Sequence, residues 1–392
     1  MKICLISNLY NPYVLGGAEI YVEKIANQLS KNNKVIIIST KPYNGLKSLK
    51  PSVEIKNNIK IYRFFPLNTY YTYYAKKTTI LKKPFWHFID LWNPHSYSII
   101  KNILKKEKPN IVHTHNLGGF SLSTFNIVKS LNLPLIHTLH DYSLMCPNAM
   151  LLNSQGNICK KQPLPCRTYQ KIKKQLSKSK PYVVTAPSQF VLDMHRKKGF
   201  FPNSKMIKLP LGIESKNNKP IKKNYDNLNI LYAGQLSKHK GIHILIEAFK
   251  QINNPKIRLN IVGKGPDSEY FQKLADKDSR ILFHGFVSDK KLNELYNFAN
   301  IVVVPSRWYD NSPVVIYESF AHSNLVIGSN IGGIPELIEN DKNGFLFEAG
   351  NIIELKDIFT NLINNPTKLK ELSENAYETS KKYDMDAHIN KL

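Results

Sequence analysis

Asp310 and Glu318, eight positions apart, are the acidic residues whose surroundings best suit chemistry on a ligand. The apolar run 301–304 upstream predicts a strand buried on both faces, and residues 314–321 predict a helix. The two carboxylates therefore lie at a strand-to-helix crossing, with Asp310 in the loop and Glu318 about one turn inside the helix. Open α/β sheets bind ligands at the carboxyl ends of their strands, so both side chains can face one ligand. Each carboxylate can accept hydrogen bonds from hydroxyl groups of such a ligand.

For an isolated pair of acids at this spacing, the favoured interpretation is a solvated side chain and a helix N-terminal acid that interacts with the dipole. Other motifs favour the ligand, because several glycine turns and one polar turn also follow predicted strands. They are Gly16-Gly17-Ala-Glu19, Leu139-His140-Asp141-Tyr142, Gly234-Gln-Leu-Ser-Lys-His-Lys240-Gly241, Ile261-Val-Gly263-Lys-Gly265-Pro266 and Gly332-Gly333-Ile-Pro335-Glu336. A lone glycine pair after a strand can be a tight turn, so the weight lies in the set rather than in any one motif.

The order of these motifs resembles that of the retaining, nucleotide-sugar-dependent glycosyltransferases of family 4. The resemblance spans nearly the whole chain and implies an α/β protein of the GT-B fold, with two Rossmann-like doubly wound domains that face each other across a cleft. It implies a hexosyltransferase that moves a sugar from a UDP or GDP sugar to a lipid-linked saccharide in surface polysaccharide synthesis. The nucleotide sugar is then a co-substrate, and neither a cofactor nor a metal is required.

The resemblance also assigns roles to residues of the C-terminal half. Lys240 stands at the family's phosphate-binding lysine, where a cation and helix N-terminal amides stabilise the departing pyrophosphate. Glu318 resembles the glutamate that holds ribose hydroxyls, and Asp310 stands where a longer glutamate usually contacts the transferred sugar. Gln235 departs from the family, which usually has a basic residue after Gly234. The other expected donor contacts are Gly16, Gly17, Gly234, Gly263, Gly265, Asn311, Ser312, Pro313, Val314 and Val315.

Histidines end two predicted strands of the N-terminal half. We expect His115, His140 and Asp141 to bind the acceptor, whereas the alternative is that the histidines are core residues bonded to backbone. Retaining transfer by a front-face mechanism needs no protein nucleophile, so these residues would orient the acceptor. The expected catalytic residues are His140, Lys240, Asp310 and Glu318.

Three cysteines, Cys146, Cys159 and Cys166, fall within 21 residues. A zinc site with a further His or Asp ligand is one interpretation, but the spacing lacks the Cys-x2-Cys pair of most such sites. Reduced structural cysteines and no bound metal are favoured, which fits a reducing cytoplasm.

Positive charge is concentrated near the N-terminus of a chain whose formal net charge is +26. Residues 41–110 contain 14 Lys or Arg, 3 Asp or Glu and many aromatic residues. This mixture suits an anionic membrane surface, with a docking set of Lys76, Lys77, Lys82, Lys83, Phe85 and Trp86. Nucleic acid would use the same residue types, but no nucleic-acid motif accompanies them. Without a signal peptide or an 18-residue apolar run, the prediction is a cytoplasmic protein bound peripherally to the inner face of the cytoplasmic membrane.

Strands and helices alternate along both halves, which predicts parallel sheets built from βαβ units. We predict an acceptor-binding domain at 1–213, a polar linker at 214–227 and a donor-binding domain at 228–366. Residues 367–392 would form a C-terminal helix that crosses back to the first domain, as the resemblance implies. The main alternative function is a non-catalytic, membrane-attached nucleotide-sugar binder. A nicotinamide-dependent enzyme is disfavoured because Gly16-Gly17 lacks the Gly-x-Gly-x-x-Gly spacing.

Overall fold

The computed structural model describes residues 1–178, 180–214 and 219–392, apart from the side chain of Lys76. The chain forms two compact units. The first contains residues 1–151, 160–210 and 389–392, and the second contains 152–159 and 211–388.

In the described part of the chain, the first unit is built on an eight-stranded sheet. Its strands lie in the order β3-β4-β2-β1-β5-β6-β7-β8, and all neighbours are parallel except β3 and β4. The strands are β1 (Lys2–Ile6), β2 (Lys34–Thr40), β3 (Ser52–Lys56), β4 (Ile59–Phe64), β5 (Ile111–Thr114), β6 (Leu135–Thr138), β7 (Val183–Ala186) and β8 (Lys205–Lys208). Runs such as Val35 to Ile38 are buried along their whole length, as expected for a parallel sheet covered on both faces.

Helices connect these parallel strands. They are α1 (Gly17–Ser30), α2 (Lys82–Leu91), α3 (Pro94–Glu107), α4 (Ser123–Ser130), α5 (Leu164–Ser177) and α6 (Gln189–Lys197). Local sequence explains where α3 begins. The Asn93 side chain accepts a hydrogen bond from the Ser96 amide at 3.0 Å, and Pro94 is the first residue of the helix.

The second unit repeats the plan with a six-stranded parallel sheet in the described residues, in the order β11-β10-β9-β12-β13-β14. Its strands are β9 (Leu228–Ala233), β10 (Ile257–Val262), β11 (Ile281–Gly285), β12 (Ile301–Val304), β13 (Leu325–Ser329) and β14 (Gly344–Phe347). Its helices are α7 (Ile242–Lys250), α8 (Ser268–Ala275), α9 (Asp289–Phe298), α10 (Val314–Ala321), α11 (Ile352–Asn364) and α12 (Pro366–Ser380). The last helix, α13 (Met385–Lys391), begins in this unit, and its residues from 389 onward belong to the first. This strand order is the one found in dinucleotide-binding sheets, and it reverses direction at β9.

The structure confirms the predicted fold class of two parallel, doubly wound α/β domains. The prediction from sequence did not include several elements of the structure, namely β3, α2, α5, α6, β8, β14 and α11. Edge strand β3 is exposed along its whole length, so its sequence carries no buried face to detect.

The segments around the two predicted domain ends differ in detail from the predictions. Residues 215–218 of the predicted linker lie outside the described residues, and the Ile221 amide donates to Ser323 Oγ at 2.9 Å within the second unit. The C-terminal segment is two helices rather than one, because α12 ends at Ser380. Helix α12 packs against α10 and β13 of the second unit, whereas residues 389–392 belong to the first.

Part of the predicted membrane-docking set is wrong. Trp86 is buried and its indole Nε1 donates to the Tyr70 carbonyl at 3.2 Å, so it is not on the outer surface that a membrane would meet. Phe85 is exposed, as predicted. The side chain of Lys76 lies outside the described residues. Within the described chain, no helix has both the length and the apolar character needed to cross a bilayer.

Candidate active site

An ion pair lies where the strand order of the second unit reverses. Lys240 follows β9 and Asp310 follows β12, the two strands on either side of the reversal. The Lys240 Nζ atom is 2.7 Å from Asp310 Oδ2. Ser306 Oγ donates to the same Oδ2, also at 2.7 Å. The Lys240 side chain is 24% exposed and that of Asp310 is 10% exposed, so the pair lies at a surface that a ligand can reach.

The backbone of both loops holds this pair in place. The Arg307 amide donates to the His239 carbonyl at 2.8 Å, which ties the loop after β12 to the turn that ends at Lys240. The Trp308 ring lies under the ammonium, with Lys240 Nζ 5.0 Å from its centroid, within the range of a cation–π contact. The position of the cation is therefore fixed by a carboxylate and an aromatic face together.

Two glycines support Asp310 from the opposite side. Gly332 has φ +62°, and a Cβ there would approach the Asp310 carbonyl oxygen to 2.4 Å. The Gly333 amide donates to that same oxygen at 2.8 Å. The Gly-Gly motif therefore fixes the Asp310 backbone, and only glycine fits its first position.

Glu318 lies on α10 and has a partner that the sequence did not reveal. The Tyr296 hydroxyl of α9 donates to Glu318 Oε2 at 3.1 Å. Burial first, and then the nearby carboxylate, raises the pKa of Tyr296 well above its ordinary value, so the phenol stays a donor. Glu318 itself is half-buried. Its expected contact with a ribose stays a prediction.

The remaining expected donor residues fall into three places. Asn311 and Ser312 are buried beside Asp310, and Ser312 Oγ is 2.5 Å from the Tyr317 hydroxyl. Pro313, Val314 and Val315 form the start of α10. Gly234, Gly263 and Gly265 lie where the loops after β9 and β10 pass each other, and a Cβ on Gly263 would approach the Gly234 carbonyl to 1.8 Å. Gly16 and Gly17 belong to the first unit, at the start of α1.

The amide of Gly16 is already engaged within its own helix start. Glu19 is buried, and its Oε2 accepts hydrogen bonds from the amides of Gly16 at 2.8 Å and Leu15 at 3.2 Å. This arrangement is half of a capping box and explains why an acid follows the glycine pair. Contact of Gly16 or Gly17 with a donor stays a prediction.

The first unit brings its predicted histidines together. Strands β5 and β6 are parallel neighbours, so His115 and His140 meet beyond their carboxyl ends. His115 Nδ1 is 3.0 Å from His140 Nε2, and the rings of His113 and His115 are 4.2 Å apart. Asp141 follows at once, and its Oδ1 accepts a hydrogen bond from the Ser143 amide at 2.8 Å.

The imidazoles of His115, His137 and His140 are uncharged at neutral pH. Burial lowers the pKa of His140 to about 4 and that of His137 to about 3, and it holds the pKa of His115 well below its ordinary value. Burial also raises the pKa of the Asp141 carboxyl. A neutral imidazole has one N–H donor and one acceptor nitrogen, which suits a hydroxyl ligand.

The cysteines are the remaining candidate residues. In the described residues the four cysteines form no disulfide, and Cys146 Sγ lies 2.8 Å from Asn148 Oδ1. Cys159 and Cys166 are half-buried. Among the described residues, no group of three or more His, Cys, Asp or Glu side chains could hold a metal ion.

Comparison with known proteins identifies the class to which this arrangement belongs. The structure matches that of HepE from Anabaena in complex with UDP-glucose, with a TM-score of 0.71, 19% identity and coverage of 100% of this chain and 98% of that one. The chain thus has the GT-B fold.

The sequence then identifies the family. Residues 15–216 match the model of Glycosyltransferase Family 4, and residues 214–379 match that of Glycosyl transferases group 1. The chain therefore belongs to the family 4 glycosyltransferases.

Two curated relatives show the range of similarity. An uncharacterised 42.6 kDa protein in the cps region of Klebsiella pneumoniae is 28% identical over 338 residues, or 86% of this chain and 87% of that protein. The lipopolysaccharide 1,2-N-acetylglucosaminetransferase of Salmonella typhimurium is 30% identical over 183 residues, or 41% of this chain and 48% of that enzyme.

Because Gly332 packs against the Asp310 backbone, we expect a methyl group added at position 332 to lower both activity and stability. Gly332→Ala should reduce activity at least tenfold and lower stability, because the added Cβ collides with the Asp310 backbone at a positive φ. Gly333→Ala is the matched control, since Gly333 has φ −90° and its amide is retained. Steady-state assays and thermal unfolding of both variants test this, and equal loss in the two would contradict the expected role of Gly332.

The buried histidines predict that acid weakens the first unit. Unfolded histidines titrate near pH 6.5, so between about pH 6.5 and 4 the unfolded chain binds protons that the folded chain does not. Stability should therefore fall as pH falls from 7 to 5, and each 1 kcal/mol should lower Tm by about 2–4 °C.

His137→Asn isolates this effect, because it removes one titrating ring while keeping a polar atom near the Thr114 hydroxyl, which lies 2.9 Å from His137 Nδ1. Glu19 and Asp141, whose pKa values burial raises, act in the opposite direction in both proteins. The Tm difference between pH 7 and pH 5 should be smaller in the variant. An equal difference would show that His137 titrates normally in the folded chain.

Proposed function

We propose that this glycosyltransferase is a retaining, metal-independent enzyme that transfers a sugar from a UDP or GDP sugar to a lipid-linked saccharide in surface polysaccharide synthesis. The observation that carries the proposal is the Lys240–Asp310 ion pair at the reversal of the strand order. The UDP-glucose complex of HepE supports the donor class. The relative named as a lipopolysaccharide transferase supports the acceptor class.

The ion pair suits a nucleotide diphosphate sugar, because a cation can bind the pyrophosphate and a carboxylate can accept hydrogen bonds from the sugar. Lys240 supplies positive charge for the pyrophosphate, and the amides at the start of α7 add to it. Ser306 and Lys240 both donate to Asp310 Oδ2, so neither of these bonds occupies Oδ1. In the proposed complex Oδ1 accepts a hydrogen bond from a sugar hydroxyl. Glu318 holds the ribose in this arrangement, with its carboxylate oriented by Tyr296.

Retention follows from a front-face reaction. The bond between the anomeric carbon and the phosphate oxygen breaks while the acceptor hydroxyl oxygen bonds to the same face of that carbon. The acceptor proton passes to the departing phosphate oxygen, so no protein nucleophile is needed. Lys240 stabilises the negative charge that develops on the leaving diphosphate. The neutral His115–His140 pair orients the acceptor hydroxyl rather than removing its proton.

A non-catalytic nucleotide-sugar binder would share the same binding residues. The two differ in turnover, because an enzyme of this kind hydrolyses its donor slowly when no acceptor is present. Release of free nucleotide from a donor sugar, measured over hours, separates them.

Glu318→Ala tests the donor site. Hydrogen bonds to a charged group contribute roughly 1.5–3 kcal/mol, so we expect donor affinity to fall by roughly 10- to 150-fold. The measurement is a thermal-shift panel of UDP and GDP sugars, in which a donor at 100 times its Kd stabilises the wild type by about 2.7 kcal/mol. Glu294→Ala, an exposed acid on α9, is the control and should behave like the wild type. Wild-type donor shifts and turnover in Glu318→Ala would refute the assignment.

The membrane proposal rests on an exposed apolar ridge of the first unit. Ile80, Leu81, Phe85 and Phe88, in α2 and the turn before it, are 67–82% exposed. Exposed apolar groups at this density are unusual for a surface that only water covers. Lysines flank the ridge at Lys77, Lys82 and Lys83 and suit anionic headgroups. We propose that this ridge docks the enzyme peripherally on the inner face of the cytoplasmic membrane.

Charge reversal at Lys77, Lys82 and Lys83 should release the protein from anionic vesicles. Three lysines at about 1 kcal/mol each correspond to at least a hundredfold change in partitioning, and the attraction should weaken with salt. Phe85→Ser with Phe88→Ser should weaken binding at all salt concentrations, because it removes inserted apolar area. Co-sedimentation with vesicles at two salt concentrations measures both effects.

The matched control reverses Lys171, Lys178 and Lys205, which are exposed elsewhere on the same unit and change the net charge equally. Donor hydrolysis in solution should survive in every variant. Equal release by the two charge-reversed triples would mean that net charge alone, and not the ridge, holds the protein on the membrane.

A further inference from the structure

A cavity of about 160 Å³ lies inside the first unit, next to the histidine pair. Its wall contains an ion pair that the sequence did not indicate: Lys173 Nζ of α5 is 2.9 Å from Asp90 Oδ2 of α2, and both side chains are buried. The Gly119 amide donates to Asp90 Oδ1 at 2.6 Å. The cavity, called the chamber below, thus has fixed polar groups in a wall that also contains many apolar residues.

The chamber carries little net charge. The ammonium of Lys173 and the carboxylate of Asp90 neutralise each other. Burial lowers the pKa of the four histidines in the wall, so their imidazoles are neutral at pH 7; they are His87, His115, His137 and His140. Asp141 adds a carboxyl rather than a cation. A phosphate or other anion would find no uncompensated positive charge here, whereas a neutral, hydroxylated ligand would find partners of both kinds.

Two imidazole nitrogens in this wall lack a hydrogen-bond partner among the described residues. They are His87 Nδ1 and His115 Nε2, both buried. Buried polar atoms are almost always paired, so two unpaired atoms in one wall point to a ligand or to water. The wall also includes the aromatic residues Trp86 and Tyr169, which add apolar surface beside the polar groups.

We propose that this chamber binds one uncharged monosaccharide residue of the acceptor, and that Asp90, Lys173 and His87 determine its specificity. The inference rests on the proposed function and adds the class of sugar and residues outside the predicted acceptor set. The volume suits one sugar ring and lies below the roughly 300–1,000 Å³ of pockets that enclose drug-sized ligands. His115 and His140 in the same wall would then hold the hydroxyl that is glycosylated.

Gly118 provides the sharpest probe. A Cβ at this position would lie 3.2 Å from Asn8 Nδ2, 3.5 Å from Trp86 Cη2 and 3.9 Å from Thr72 Cγ2, and all three residues line the chamber. Gly118→Ala therefore adds one methyl group to the chamber, at a residue whose φ alanine can adopt, without touching the ion pair. The double variant Asp90→Asn with Lys173→Met removes the two opposite charges together, which avoids leaving one buried charge unpaired.

The experiment measures binding of free glucose, galactose, mannose and N-acetylglucosamine to the full chain by ligand-observed NMR, with glucuronate as the charged counterpart. We expect at least one neutral sugar to bind and glucuronate to bind at least tenfold more weakly. Gly118→Ala and the double variant should each weaken the neutral sugar at least tenfold. Lys171→Met, an exposed position on α5, is the control and should bind as the wild type does.

Donor hydrolysis without acceptor keeps this inference separate from the proposed function. It should be unchanged in Gly118→Ala and in the double variant, because Lys240 and Glu318 lie in the other unit and neither variant alters Gly16 or Gly17. Wild-type sugar binding in both folded variants, no neutral sugar bound, or tighter binding of glucuronate would each overturn the proposal. Absence of donor hydrolysis and donor binding in the wild type would instead refute the proposed function. Thermal unfolding verifies that each variant is folded, and Gly118→Ala decides the question if the double variant is not.

Discussion

The reversal of strand order is the constraint on which both sites depend. At such a point the two connections leave the sheet on opposite faces, and ligands bind beside the carboxyl ends of the two strands. In the second unit the loops after β9 and β12 meet there, and they carry Lys240 and Asp310. The first unit reverses at β1, next to β5, and the loop after β5 carries His115. Each unit therefore has a candidate site next to the reversal of its strand order, and the two sites differ in chemistry.

The chemistry differs because burial acts on different residue types. Lys240 lies beside a carboxylate and an aromatic face, at a surface that water still reaches. The histidines of the first unit lie at buried strand ends, where desolvation removes their charge. A charged site and a neutral site suit the two substrates of the proposed reaction, since a nucleotide diphosphate is strongly anionic and a sugar hydroxyl is not.

Sequence reasoning succeeded for elements that a few neighbouring residues determine. The apolar strand before Asp310 and the helix around Glu318 were predictable because period and turn chemistry act over a few residues. It failed where a contact joins distant segments: Tyr296 reaches Glu318 across 22 positions, and Lys173 reaches Asp90 across 83. It also failed at Trp86, because a basic neighbourhood does not reveal whether an aromatic ring faces water or the core.

The aspartate at position 310, one methylene shorter than the family's usual glutamate, is matched to its neighbours. Gly332 and Gly333 hold the Asp310 backbone from one side, so that backbone cannot withdraw to make room for a longer side chain. On the other side, Ser306 Oγ and Lys240 Nζ already lie at hydrogen-bond distance from Oδ2. A glutamate on the same backbone would have to bend its chain or displace one of these two donors. The short side chain is thus a condition of the ion pair, and any ligand that binds here meets a carboxylate whose position Lys240 has set.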